Sequence, residues 1–255
     1  MQRHAFQHDG LTISWLDAGG DGRPLIALHA HWMEALTFAR LAESLAPDWR
    51  LVALDQRGHG HSSHAASYTR EDYLGDLEAL FAELDPTGPV VLLGNSLGGI
   101  NALQFAAGHP QCVSALVVED IGVEVSTDIG FVRAWSGTFP TREALAERVG
   151  ARMLPYLESS FRLTPEGWRL AFDPEDMVQS QEALKGNYWD EWLATQCPAL
   201  VIRGRDSRVT AQEEIEAMVS RRPNTTLLIL DGGHVVHQDS PVLFVEGLRQ
   251  FLRTL

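Results

Sequence analysis

Short uninterrupted apolar runs, bounded by turn residues, alternate along this chain with stretches in which apolar residues return every third or fourth position. The runs PLIALHA at 24–30, RLVALD at 50–55, PVVLLGN at 89–95 and VSALVVED at 113–120 lack polar alternation, as strands covered on both faces require. Between them, ALTFARLAESLAP, REDYLGDLEALFAEL and LGGINALQFAAGHP carry helical spacing, with Pro or Gly marking where they stop. The order is a βαβ series, and it predicts a parallel sheet with helices on its faces. It resumes with CPALVIRG at 197–204, a helix near AQEEIEAMVSRR, a strand TTLLILDG at 225–232 and a final helix SPVLFVEGLRQFL.

The two strand blocks flank a segment from Gly122 to Thr195 that has no convincing strand, several helical stretches and turn signals at FPTRE, LTPEG and FDPED. The expected division is therefore a core of residues 1–121 and 196–255 with a helical cap, residues 122–195, serving as a lid. No internal repeat, low-complexity tract or long linker interrupts it.

Composition narrows the function. A chain of 255 residues with 45% hydrophobic and 21% charged residues can bury one sizeable core. Its formal net charge of −14, with no basic run, argues against nucleic acid or an anionic membrane as partner. Cys112 and Cys197 stand far apart, without metal-ligand or disulfide spacing, and are expected as two small core residues. The N-terminal MQRHAFQHDGLTISW has no hydrophobic signal core, and no later segment is apolar for long enough to span a bilayer, so a cytoplasmic location is expected.

Chemistry enters at GNSLGG, residues 94–99. Ser96 follows a predicted strand and precedes a predicted helix, with Gly94 and Gly98 where a Cβ would collide with neighbouring backbone. Such a sharp turn exposes the hydroxyl. The plainer alternative is a serine capping a glycine-rich helix entry. A serine nucleophile needs a base, and among ten histidines His234 is favoured, on a two-glycine loop between the last strand and the last helix. His237 is expected to cap or pack. His59 and His61, in DQRGHGHS, are expected as turn and surface residues.

Taken together, LHAHW, DQRGHGHS, GNSLGG and GGHVVH resemble, in order and spacing, four motifs of the α/β-hydrolase superfamily, and the likeness covers essentially the whole chain. Within it the chain resembles small bacterial serine carboxylesterases with a helical cap. The resemblance implies a mostly parallel eight-stranded sheet flanked by helices, with the cap inserted after the sixth strand. It implies backbone N–H groups of His31 and Leu97 as an oxyanion hole, although the family's His-Gly is here His29 and Ala30. His31 could also bring its side chain into the site, while Trp32 is expected to pack the loop.

The acid departs from the family's commoner pattern. Three residues beyond Gly204, where the usual aspartate stands, this chain has Ser207, and Asp206 falls one residue early. Some small esterases of the fold instead carry an Asp-Ile pair after the sixth strand, as Asp120 and Ile121 do here. Asp120 is preferred, Asp206 is the alternative, and Glu119 stands third.

The expected reaction is acyl transfer to water on a small, largely apolar ester, without metal or organic cofactor. The partner is a small-molecule substrate, and the protein a monomer or small homo-oligomer. Trp135, Phe139, Tyr156, Phe161, Trp168, Phe172, Tyr188, Trp189 and Trp192 make the cap aromatic, most of them as packing. Two alternatives remain at this stage. One is a carbon–carbon bond hydrolase of aromatic degradation, which Val235 after the histidine disfavours; the other is a slow-turnover receptor of the same fold.

Overall fold

The computed structural model describes residues 1–255. Eight strands form the central sheet: β1 (Gln2–His8), β2 (Leu11–Asp17), β3 (Arg23–Leu28), β4 (Trp49–Leu54), β5 (Val90–Asn95), β6 (Val113–Glu119), β7 (Ala199–Gly204) and β8 (Thr225–Leu230). Their spatial order is β1-β2-β4-β3-β5-β6-β7-β8. From β4 to β8 every neighbouring pair is parallel, while β2 runs antiparallel to both β1 and β4. The inner parallel strands are buried on both faces, which is why their sequences read as continuous apolar runs; all six residues of β5 are buried, whereas edge strand β8 buries only Leu230.

The first hairpin has a local cause that the apolar pattern misses. Asp9 and Gly10 have φ of 48° and 77° and close a two-residue turn between His8 and Leu11. An Asp-Gly pair suits a turn needing two positive φ angles.

Helices α1 (Ala39–Leu45), α2 (Arg70–Leu84) and α3 (Leu97–Gly108) follow β3, β4 and β5. Thr69 and Asp72 cap α2 reciprocally: the Asp72 N–H donates to Thr69 Oγ1, and the Thr69 N–H donates to the Asp72 carboxylate. One apolar layer joins Leu77, Leu80, Ile100, Leu103 and Phe105 to one face of the sheet, and a second joins Phe38, Leu41, Phe244 and Leu248 to the other.

Between β6 and β7 the chain forms α4 (Arg142–Val149), α5 (Leu154–Leu157), α6 (Pro174–Leu184) and α7 (Trp189–Ala194). Helices α8 (Gln212–Arg221), α9 (Val236–Asp239) and α10 (Pro241–Leu252) complete the fold. The segment at 122–195 is not strandless, as the sequence had suggested. Glu124–Val125 pairs with Gly186–Asn187, and Phe161–Thr164 pairs with Gly167–Leu170, each as a separate two-stranded sheet. These strands are two to four residues long, too short to leave a periodic trace. Neither joins the central sheet. No helix is long and apolar enough to cross a membrane.

The insertion rests on the core through buried Val123, Leu184 and Trp192, which join the layer holding Leu77 and Ile100, and through polar contacts. Asp176 Oδ2 receives the Tyr68 hydroxyl at 2.7 Å and lies 2.9 Å from His64 Nδ1. Ser160 Oγ donates to the Trp32 carbonyl at 2.9 Å, and the Arg162 guanidinium pairs with buried Glu34.

Candidate active site

Ser96 stands at the end of β5 with φ 52° and ψ −116°, a conformation costing a non-glycine residue about 1–3 kcal/mol. Two glycines make it possible. A Cβ on Gly94 would lie 2.0 Å from Gly98 O, and one on Gly98 would lie 2.2 Å from Leu28 O. The strained turn leaves the Ser96 side partly exposed while β5 and the first residues of α3 are buried. The Ser96 N–H donates to the Glu119 carbonyl at 3.0 Å, tying the turn to the end of β6.

His234 and Asp120 meet at that same end. His234 Nδ1 lies 2.7 Å from Asp120 Oδ2, and the aspartate is fully buried. Asp120 itself has φ 50°, which turns its side chain back across the end of β7. There Oδ1 accepts the Gly204 N–H at 2.9 Å and Oδ2 also accepts the Ser207 hydroxyl. With three donors aimed at it, the carboxylate holds the imidazole in one orientation. Asp206 is exposed, and it is Asp120, not Asp206, that His234 Nδ1 bonds. From the other side Asn95 Nδ2 donates to the carbonyls of Glu119 and His234, each at 3.1 Å, so the residue before Ser96 fixes the histidine loop. The sequence reading had assigned Asn95 no role.

The two expected N–H groups come from the loop after β3, at His31, and from the start of α3, at Leu97. The His31 N–H has no main-chain acceptor, and Leu97 is the first residue of α3, where an N–H has no intrahelical partner. His29 explains the orientation. Its Nε2 accepts the Gln56 N–H at 3.0 Å, so the proton is on Nδ1, which donates to the Ala30 carbonyl at 2.7 Å. Carbonyl and N–H of one planar trans peptide point opposite ways, so the His31 N–H faces away from this ring. Ala30 needs no positive φ, and its methyl group packs with Met33 and Val235. The His31 side chain bonds Ser180 Oγ of α6 at 2.8 Å. Trp32 packs edge-on against Phe131 and Trp135 of the insertion.

His59 corrects the expectation of a surface turn residue: it is fully buried, 4.9 Å from His29 between ring centroids, whereas His61 is exposed. Burial pushes His29 down to about 4 and His59 to about 3, and it holds His31 well below the ordinary histidine value. All three are neutral imidazoles at neutral pH.

A second histidine–acid couple lies beside the first. Glu119, buried like Asp120, accepts both the backbone N–H and Nδ1 of His237, at 2.9 and 2.8 Å. His237 Nε2 lies 2.7 Å from Thr37 Oγ1, which also receives Gln238 Nε2 at 2.7 Å. Glu119 thus secures the loop carrying His234. Its position next to Asp120 was visible in the sequence, but its partner was not. No group of three or more His, Cys, Asp or Glu side chains is arranged to hold a metal ion.

A sheet with this strand order, a serine at the sharp turn after β5 and a histidine loop after β8 define a hydrolase scaffold. The chain belongs to the alpha/beta hydrolase family, which it matches over residues 22–247. It is 25% identical over 254 residues to a 2-(acetamidomethylene)succinate hydrolase of Mesorhizobium japonicum, covering 91% of this chain and 89% of that one. It is 26% identical over 272 residues to an esterase of Mycobacterium tuberculosis, covering 95% and 87%. A crystal structure of E-2-(acetamidomethylene)succinate hydrolase superposes with a TM-score of 0.89 at 23% identity, covering 99% of each chain.

Proposed function

We propose that this hydrolase cleaves a carboxylic ester of a small, largely apolar substrate through an acyl-enzyme on Ser96. The observation that carries this is the hydrogen bond between His234 Nδ1 and buried Asp120, on a loop that Asn95 ties to the end of the serine strand. His234 Nε2 removes the Ser96 proton as Oγ attacks the carbonyl carbon. The tetrahedral oxyanion is received by the N–H groups of His31 and Leu97. His234 then protonates the leaving alcohol, and water, activated by the same nitrogen, releases the acid. Asp120 keeps the imidazole in the tautomer that leaves Nε2 free to accept.

Aryl esters of rising acyl-chain length, with 2-(acetamidomethylene)succinate beside them because of the relative named for it, form the test panel. Turnover by the wild type that Ser96→Ala abolishes is the expected result, together with labelling of Ser96 by a fluorophosphonate. Wild-type ester turnover no faster than that of Ser96→Ala would overturn the proposal.

A further inference from the structure

The loop that carries the His31 N–H is held from two different parts of the molecule. Before it, His29 and Gln56 fix Ala30 from the core, and after it the Ala35 N–H donates to buried Asp55 Oδ1 at 2.7 Å. Between those anchors the polar ties run to the insertion. His31 Nε2 bonds Ser180 Oγ, Glu34 pairs with Arg162, and the Trp32 carbonyl accepts the Ser160 hydroxyl at 2.9 Å. Met33 turns instead to the core, where it packs with Ala30 and Val235. Within residues 30–33 the one main-chain bond, from the Met33 N–H to the Ala30 carbonyl, is long at 3.4 Å.

Trp32 has φ 71°, in the left-handed region that glycine enters freely and a bulky side chain avoids. Such a conformation persists only where the surroundings over-determine it. Here the surroundings are the insertion. Phe131 and Trp135 grip the indole edge-on, and Ser160 grips the main chain itself. No main-chain donor reaches the Trp32 carbonyl. Ser160 is fully buried and its own carbonyl accepts the Ala171 N–H at 2.7 Å, so its hydroxyl is delivered from a fixed backbone. The peptide plane before Trp32 includes the His31 Cα, so a rotation that relieved φ would shift His31 as well. Asp120, His234 and Ser207, by contrast, meet without any residue of the insertion.

We propose that Ser160 is a positioning residue for the oxyanion hole: through the Trp32 carbonyl it holds the loop against its strain and keeps the His31 N–H aimed at the developing oxyanion. This rests on the acyl-enzyme reaction proposed above and divides its machinery in two. The core sets nucleophile, base and acid, and the insertion sets one of the two oxyanion donors.

The test compares wild type with Ser160→Ala on nitrophenyl acetate, with trifluoroacetophenone as inhibitor. Ser96 Oγ adds to the ketone carbon, His234 takes the hydroxyl proton, and the carbonyl oxygen becomes an oxyanion facing the same two N–H groups. A loosened donor acts on that adduct and on the transition state more than on bound substrate. The expected result is a kcat about tenfold lower with KM within about twofold, part of the roughly hundredfold or greater loss that follows removal of a donor. The Ki of the ketone should rise in step with the fall in kcat/KM. KM and Ki do not depend on how much of the enzyme is folded, so a loss of stability alone leaves both unmoved. Amide hydrogen exchange in peptides spanning residues 30–35 should quicken in Ser160→Ala while that of β5 stays as it was.

A kcat within about twofold of wild type, or a Ki that does not move, overturns the inference and leaves the proposed reaction intact. A wild type that turns over no ester counts against the proposed reaction instead, and exchange then decides: faster exchange confined to the loop supports the hold by Ser160, and unchanged exchange overturns it.

Discussion

Ser207 donates its hydroxyl proton to the same Asp120 oxygen that receives His234 Nδ1. The two carboxylate positions known from the sequence pattern have thereby merged: the acid comes from the end of β6, and the site after β7 supplies a neutral donor. The three donors fix the carboxylate in one orientation, with an oxygen facing His234 Nδ1 where it can support an imidazolium during turnover.

Asp120→Asn should lower kcat by up to about four orders of magnitude, because an amide can present its NH2 to His234 and favour the wrong tautomer. Asp206→Asn should stay within about twofold, since its side chain is exposed and His234 Nδ1 is bonded to Asp120 instead. Ser207→Ala removes one charge-assisted bond, worth roughly 1.5–3 kcal/mol, and should cost an intermediate factor. Steady-state rates on one ester rank the three, and a severe defect in Asp206→Asn alone would contradict the geometry.

Glu119→Gln replaces the buried carboxylate that holds His237 twice. Loss of one charged partner predicts destabilisation of about 2–3 kcal/mol, read as a lower urea midpoint at unchanged m-value. Because the same loop carries His234, kcat should fall with it, while Glu119→Asp recovers part of both. An unaltered midpoint would mean that Glu119 does not secure the loop.

Acid should weaken the fold through His29, His31 and His59. Their folded pKa values lie below the ordinary unfolded value of about 6.5, so below that pH the unfolded chain binds more protons than the native one. Stability is therefore fully present above pH 6.5 and declines as pH falls toward 4 and then 3, by about 1.4 kcal/mol per pH unit for each histidine kept neutral. Urea unfolding at pH 7.5, 6.0 and 5.0 measures the slope. A flat profile across that window would refute buried neutral imidazoles.

Trp135 sits in the apolar centre of the insertion and meets Trp32 edge-on at 5.5 Å, one residue from His31. Trp135→Ala should cost about 3–5 kcal/mol in that part of the molecule and alter the preferred acyl-chain length more than the rate on acetate esters. A chain-length profile that keeps its shape would separate the insertion from substrate choice.

The sheet was legible because burial on both faces erases polar alternation, so LIAL, VVLL and ALVV announce strands wherever they stand. Ser96 was legible because Gly94 and Gly98 have no sterically acceptable replacement. The β1–β2 hairpin carried a usable Asp-Gly signal that apolar periodicity alone overlooks. His59 was misjudged because glycines around a histidine describe the path of the chain and say nothing about what covers it. Glu119 and His237, like Trp32 and Ser160, meet only through tertiary packing across 118 and 128 positions of sequence. No local pattern encodes such pairs.

The insertion leaves the sheet after β6 and returns at β7, its immediate neighbour, and the register of these strands is set by Leu116–Glu119 against Ala199–Ile202. Ser96, His234, Asp120 and Ser207 all lie outside the inserted stretch, and each bond that joins the last three is made without it. The hydrogen bonds that set His234 against Asp120 and Ser207 therefore place no demand on the length of the inserted stretch, whose ties to the core lie elsewhere, at Trp192, Leu184 and Ser180.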